Sequence, residues 1–469
     1  MKNVEKDSPI SKVLTGITGL DEITFGGFPE NRSTLITGYA GSGKTVFSMH
    51  FILNGINLYD EPGVFISMEE SEEELKKNMA AFGFDIEKLI RKNKLYLENI
   101  NIRQTAIYKA GSFDLSPVFL RIEEAVKKVG AKRIAIDTFE QIFIDIRDKN
   151  VFRQELVRLI NWLKEKELTA VFTSESPKDP HKKSSIEEFI TDCVINLKHQ
   201  VLDSIYTRRL HILKYRGSGH GTNEYPFLIN DKGISLLPVT SEEAHKISSD
   251  IIPTGIEGLD EKIEKRGFYY GSSTLISGTS GAGKTSFAVA FCYEALKQNK
   301  KCLFFSFEES SPQLKRNMKS LGYDLEEFEK NDLLKINSAR PTLMGLEAHL
   351  LSFYRNVEEF NPDIIVFDPI TDLVQIGTRM EVRAMLFRMI DYMKGRLITI
   401  LFTALISSTD FDRSLGMSSL VDNWLKLRLN GPGGESSQYL SITKIRGVKH
   451  SHDEFILDFS KNGLRIIDD

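Results

Sequence analysis

Cysteine is nearly missing from this chain of 469 residues, which carries three, Cys193, Cys292 and Cys302. An odd count without metal-ligand spacing excludes a disulfide framework and a zinc site, and predicts reduced, packed thiols of a cytosolic protein. Long apolar runs are missing too. The longest, around Leu397 to Ile406, is too short to span a bilayer and reads as a buried strand. No secretory signal is read before the first domain, so a cytoplasmic location without a membrane partner is expected. Charge of one sign is also lacking. The 61 basic and 65 acidic residues leave a formal net charge of −4, which removes any global electrostatic reason to bind nucleic acid.

What the chain does have is a phosphate-binding pattern, G-x-x-x-x-G-K-[ST], written twice: GYAGSGKT from Gly38 to Thr45 and GTSGAGKT from Gly278 to Thr285. In such a loop the glycines let successive N–H groups curl around phosphate oxygens, the lysine meets the β/γ-phosphates, and the last hydroxyl holds Mg²⁺. The nucleotide-binding residues predicted are therefore Gly38, Gly41, Ser42, Gly43, Lys44 and Thr45 in the first copy. In the second they are Gly278, Thr279, Ser280, Gly281, Ala282, Gly283, Lys284 and Thr285.

The loops belong to a longer repeat. TGITGLDEITFGGF from Thr15 aligns with TGIEGLDEKIEKRGF from Thr254, and Glu69 then pairs with Glu308, Asp137 with Asp368 and Arg216 with Arg446. The offset shortens along the chain, so loops are deleted in the second copy. Two copies, each of ordinary domain size, indicate tandem duplication of an autonomous domain rather than a solenoid. The boundaries read are 1–240 and 241–469, with the polar stretch Pro238 to Asp250 as linker.

Short Val/Ile/Phe runs alternate with helical segments, as at Ser33 to Thr37, Gly63 to Ser67, Arg133 to Ile136 and Thr169 to Thr173. The fold class expected is α/β, a mostly parallel sheet flanked by helices in each half. The later runs, around Cys193 to Leu197, Arg208 to Lys214 and Tyr225 to Ile229, are joined too tightly for helical crossovers and suggest an antiparallel extension of that sheet.

Nucleotide chemistry needs a carboxylate for the attacking group and another for the metal. VFISMEES puts Glu69 and Glu70, and LFFSFEES puts Glu308 and Glu309, at the carboxyl end of the strand after the loop helix, where ligands of open α/β sheets lie. Adjacent residues face opposite ways, so Glu69 and Glu308 are assigned as bases and their neighbours to a helix or loop. The alternative is acidic enrichment at the next helix start. RIAIDT and IIVFDP resemble Walker B strands, whose Asp137 and Asp368 would hold the Mg²⁺ shell with Thr45 and Thr285; a strand-end aspartate also serves as a turn residue. HILKYRGSGH and SITKIRGVKH set Lys214 with Arg216 and Lys444 with Arg446 on one strand face, followed by His220 and His450. These are either fingers for a phosphate in an adjacent subunit or a charged edge strand.

Together EGLDE, GTSGAGKT, FEES, KYRG with KIRG, EYPFLINDKGI and the EEF of Glu187 to Phe189 resemble the KaiC family of tandem RecA-like P-loop ATPases over nearly all of both halves. The resemblance implies ATP as substrate, Mg²⁺ as cofactor, and a homo-hexameric double ring with ATP at the subunit interfaces. In-trans contacts would then come from Lys214, Tyr215, Arg216, His220, Lys444, Ile445, Arg446 and His450. It also implies serine autokinase activity in the second half, with Ser418 and Ser419 of GMSSLVDNWLKL at the phosphorylated positions and Glu188 and Phe189 at the unphosphorylatable ones of the first half. The chain stops at Asp469, short of the extension that binds a regulator in the clock proteins, so that route is not expected here. The sequence names no regulatory protein partner. The competing reading is a RecA-, RadA- or DnaB-like DNA-binding ATPase. The stretches after Asp137 and Asp368 lack the basic or aromatic platform that would favour it.

Overall fold

A computed structural model describes residues 10–100, 107–109, 112–114, 116–143, 149–176, 190–202, 205–230, 233–236, 247–343, 345–405, 416–429 and 437–467. The chain divides into two compact units, Met1–Val239 and Thr240–Asp469.

The first unit is built on a nine-stranded sheet. Its strands in chain order are β1 (Ser33–Gly38), β2 (Gly63–Ser67), β3 (Leu95–Asn99), β4 (Arg133–Asp137), β5 (Thr169–Glu175), β6 (Cys193–Leu202), β7 (Ile205–Tyr215), β8 (Glu224–Asn230) and β9 (Gly233–Leu236). Their spatial order is β9-β8-β7-β6-β1-β5-β4-β2-β3. The block from β6 to β3 is parallel, and β7, β8 and β9 extend it antiparallel.

One expectation is corrected here. Cys193–Leu197 does not begin the antiparallel extension: it pairs in parallel with β1, Cys193 opposite Thr34 and Leu197 opposite Gly38. Residues 176–192 are numerous enough to return the chain to the start of the sheet, whereas β7 opens at Ile205, close behind Leu202, where only a hairpin fits.

Period-2 alternation explains the layers. Ile36, Phe65, Ala135 and Val171 pack on one face with Phe47 and Phe51 of the helix Lys44–Tyr59. Their strand neighbours Leu35, Val64, Ile66, Ile134, Ile136 and Phe172 pack on the other with Ile122 and Leu156 of the helices Ser116–Val129 and Lys149–Glu165.

The second unit repeats the plan with β10 (Ser273–Gly278), β11 (Cys302–Ser306), β12 (Leu334–Ser338), β13 (Ile364–Asp368), β14 (Thr399–Leu405), β15 (Asn423–Leu429), β16 (Gln438–Ile445), β17 (Glu454–Ser460) and β18 (Gly463–Ile467). Their order is β12-β11-β13-β14-β10-β15-β16-β17-β18. Within the apolar run read around Leu397 to Ile406, Thr399–Leu405 forms β14, an inner strand. Among the described residues no helix is long and apolar enough to cross a membrane. All three cysteines are free and buried, and burial pushes the Cys193 thiol up to about 12.

His50 separates the copies. It is buried in the loop helix, accepts the Ile234 N–H on Nδ1 at 3.1 Å, and has Ala290 at its matching position in the second unit. Burial lowers its imidazole to about 4. Because the folded value lies below the ordinary 6.5, the unfolded chain takes up the proton first as pH falls. The stability from neutral His50 is therefore complete above pH ~6.5 and lost toward pH ~4, by roughly 3 kcal/mol. Denaturant midpoints at pH 7 and pH 5 should fall further for the first unit of the wild type than for His50→Asn. Equal falls would remove His50 from the acid response.

Candidate active site

Strands β1 and β10 end on the first glycine of each loop, and the helices Lys44–Tyr59 and Lys284–Lys297 begin on the loop lysine. Gly43 and Gly283 stand at the helix starts with φ 100° and 92°, left-handed values that a side chain resists. A Cβ on Gly43 would lie 2.5 Å from Ile229 Cδ1, and one on Gly283 would lie 2.3 Å from Phe459 Cζ. A Cβ on Gly41 or Gly281 would meet nothing within 4 Å, so the outer side of each loop is open. Neither helix start has a side-chain cap, which leaves its first N–H groups directed at whatever anion fills that opening. Lys44 Nζ donates to the Gly38 and Tyr39 carbonyls at 3.0 and 3.2 Å, and Lys284 Nζ to Thr279 at 2.8 Å. Burial lowers the Lys284 ammonium below its ordinary value, opposed by the charges of Asp368 and Glu308.

Asp137 and Asp368 end β4 and β13, each only 6% exposed. Asp137 accepts the hydroxyls of Thr173 and Thr45, and Asp368 those of Thr403 and Thr285. Burial raises both carboxyls above the usual range, and the hydroxyls and loop lysines pull them back. A carboxylate meeting the loop hydroxyl is a hard-oxygen pair that suits Mg²⁺. Thr173 and Thr403 were not picked out from sequence, although VFTSE and LFTAL repeat the threonine at matching positions.

The paired glutamates differ in their surroundings. Glu70 accepts from Asn78 Nδ2 at 3.0 Å, and Glu309 from Asn317 Nδ2 at 3.3 Å; both asparagines lie on the helix that follows. Burial raises the Glu70 carboxyl, with the Asn78 hydrogen bond opposing. Glu69 and Glu308 stay exposed, and their charges act on Asp137 and Asp368. Neither pair caps the next helix. That task falls to Ser71 with Glu74 and to Ser310 with Gln313, which form capping boxes.

The Lys-x-Arg pairs lie far from their own loops. Leu197 is opposite Gly38, but Val194 and Cys193 are opposite Lys214 and Tyr215, roughly 10 and 13 Å back along β6. β15 and β16 repeat this register with Gly278 opposite Leu427 and Lys444 opposite Trp424. Lys214 Nζ donates to the Thr191 carbonyl and Lys444 Nζ to that of Val421, while Arg216 and Arg446 are exposed. Two members of the expected contact set point elsewhere. Tyr215 is buried and donates its hydroxyl to Gly27, and Ile445 is buried in the second core. Period 2 turns the residue between two outward cations inward, and that signal was present in the sequence. His220 and His450 each bond through Nδ1 to the next residue's carbonyl, that of Gly221 and Ser451.

Ser418 and Ser419 lie in a single helical turn, Met417–Leu420, ahead of Asp422 and β15. Ser419 is exposed and its hydroxyl donates to the Gly416 carbonyl at 2.7 Å. Asp422 bonds Lys394, Ser273 and Arg446. Burial opposes its ionisation, but Lys394 and Ser273 outweigh that and hold its carboxyl below the usual range. Glu187, Glu188 and Phe189 lie outside the described residues.

The family model "ATPase: KaiC" matches residues 13–241 and again 252–469. The circadian clock protein KaiC2 of Synechocystis sp. is 40% identical over 464 residues, covering 97% of this chain and 81% of the relative. The circadian clock oscillator protein KaiC of Synechococcus elongatus is 35% identical over 468 residues, covering 97% and 89%. The protein of that name from Parathermosynechococcus lividus is 35% identical over 467 residues, covering 98% and 86%.

Proposed function

Since the chain belongs to the KaiC family of ATPases, with the ATPase domain present twice, we propose that residues 1–240 and 241–469 each bind and hydrolyse MgATP at the sites described, within a hexameric double ring. The observation that carries this reading is the doubled constellation of loop lysine, buried strand-end aspartate and exposed glutamate.

Lys44 and Lys284 meet the β/γ-phosphates over the uncapped helix starts. Thr45 with Asp137, and Thr285 with Asp368, would hold Mg²⁺, which would supply positive charge against that developing on the phosphoryl oxygens. Glu69 and Glu308 orient the attacking water and take its proton. Contact with a neighbouring subunit's nucleotide is supported by the register that sets Lys214 and Lys444 far from their own loops, with Arg216 and Arg446 in the turns just past the strands rather than on the expected strand face. In the second half the exposed Ser419, with Ser418 beside it, competes with water as phosphoryl acceptor, which makes the protein a nucleotide-driven switch.

Mixing subunits tests the trans contact. Chains carrying Glu69→Gln with Glu308→Gln, and chains carrying Arg216→Ala with Arg446→Ala, should each be nearly inactive alone. Mixed in equal amounts they should regain a clear part of the wild-type rate, because some interfaces then join an intact glutamate to an intact arginine. A mixture no faster than the sum of its parts would remove the arginines from the neighbour's site.

A further inference from the structure

The two catalytic glutamates are held differently. In the first unit the residue four places after Asp137 is Gln141, whose Nε2 donates to Glu69 Oε1 at 3.0 Å. The turn that carries it, Phe139–Phe143, is fixed to the end of β5. Glu140, next to Gln141, accepts both the Ser174 hydroxyl and the Glu175 N–H. Among the described residues the turn Ile370–Gln375 of the second unit is held to β14 by the Leu405 N–H, which donates to Thr371 at 3.4 Å. The residue four places after Asp368 is Asp372, which cannot donate as a carboxylate. Among the described residues nothing donates a hydrogen bond to Glu308. Burial and then the Glu308 charge raise the Asp372 carboxyl, so the two acids feel each other.

We propose that Gln141 is a positioning residue for Glu69, and that its exchange for Asp372 leaves Glu308 unanchored and facing a like charge. The two halves therefore work with unequally ordered bases. With Oε1 held by the amide, Glu69 presents Oε2 to water in one orientation. Glu308 must be ordered afresh in each turnover, and misplacement of a reacting group is costly in rate. The inference rests on the assignment of Glu69 and Glu308 as bases.

The test isolates each half in the full chain. With Glu308→Gln silencing the second half, Gln141→Leu should lower kcat for ATP about tenfold and change KM less than about twofold, as loss of one hydrogen bond to a charged group would. With Glu69→Gln silencing the first half, Asp372→Gln should raise kcat about threefold or more at similar KM. Unchanged kcat in both would overturn the proposal, as would a parallel loss of kcat and ATP binding in the soluble Gln141 variant. If Gln141→Leu does not fold, the gain from Asp372→Gln decides alone. Turnover that survives in Glu69→Gln with Glu308→Gln together would instead refute the base assignment, a distinguishable failure.

Discussion

Replacing Glu69 and Glu308 together by glutamine is expected to lower ATP turnover at least about a thousandfold while leaving nucleotide binding near its wild-type level. Removing a positioned base ordinarily costs 10²–10⁴-fold, and the double replacement leaves no intact half to mask the loss. Binding should survive because the proposed phosphate contacts are the loop backbone, Lys44 and Lys284, and the lysines bond loop carbonyls rather than either glutamate. The neighbouring acids give an internal control. Glu70 and Glu309 are occupied by Asn78 and Asn317, so Glu70→Gln with Glu309→Gln should cost far less. Phosphate release at saturating ATP, beside the binding of a fluorescent ATP analogue, separates the two effects. Equal loss in both double variants would mean that each glutamate pair works as a unit.

The second large effect concerns stability. Arg133 opens β4 with 1% of its side chain exposed. Its guanidinium donates to Glu61 at 2.6 Å and to the Phe51 and Leu14 carbonyls at 3.1 and 2.9 Å, and it lies over the rings of Phe51 and Tyr59. It ties the loop helix, the sheet and the N-terminal segment together. Arg133→Ala leaves a carboxylate and two carbonyls without these donors, so it should destabilise the first unit by roughly 3–5 kcal/mol.

The second copy supplies the remedy. Gly55 has no room for a Cβ, which would lie 2.5 Å from Arg133 Cδ, and the matching positions there hold Ile364 and Ala295. Arg133→Ile with Gly55→Ala should therefore recover a large part of the loss, a non-additive result expected of contacting residues. Chemical denaturation of the wild type, Arg133→Ile, Gly55→Ala and the double variant measures it, beside Arg133→Ala. Additive losses would mean that the arginine and the glycine are not exchanged as a pair.

Much of this architecture was legible in the sequence because the signals were local and repeated. Glycines in a loop, apolar runs of strand length and a terminal aspartate each carry their own spacing, and a second copy removes coincidence. The direction of β6 was not legible. Cys193–Leu197 looks the same whether it joins β1 in parallel or antiparallel, and only the path of the preceding connection decides. Gln141 was missed for a different reason: its role depends on a contact between a turn and a strand end 72 positions apart, and the second copy replaces it with Asp372. Asn78 and Asn317 were within reach, since NM follows at the same distance from both glutamate pairs.

The central claim is that this chain turns over ATP at two sites of its own without nucleic acid. Incubation of the full chain with Mg²⁺ and γ-labelled ATP in the absence of DNA, following label into free phosphate and into protein, tests it most directly. The expected result is steady phosphate release that drops in Glu69→Gln and again in Glu308→Gln, with any protein-bound label lost in Ser418→Ala with Ser419→Ala. Release that begins only when single-stranded DNA is added, or that is undiminished in both glutamate variants, would contradict the claim.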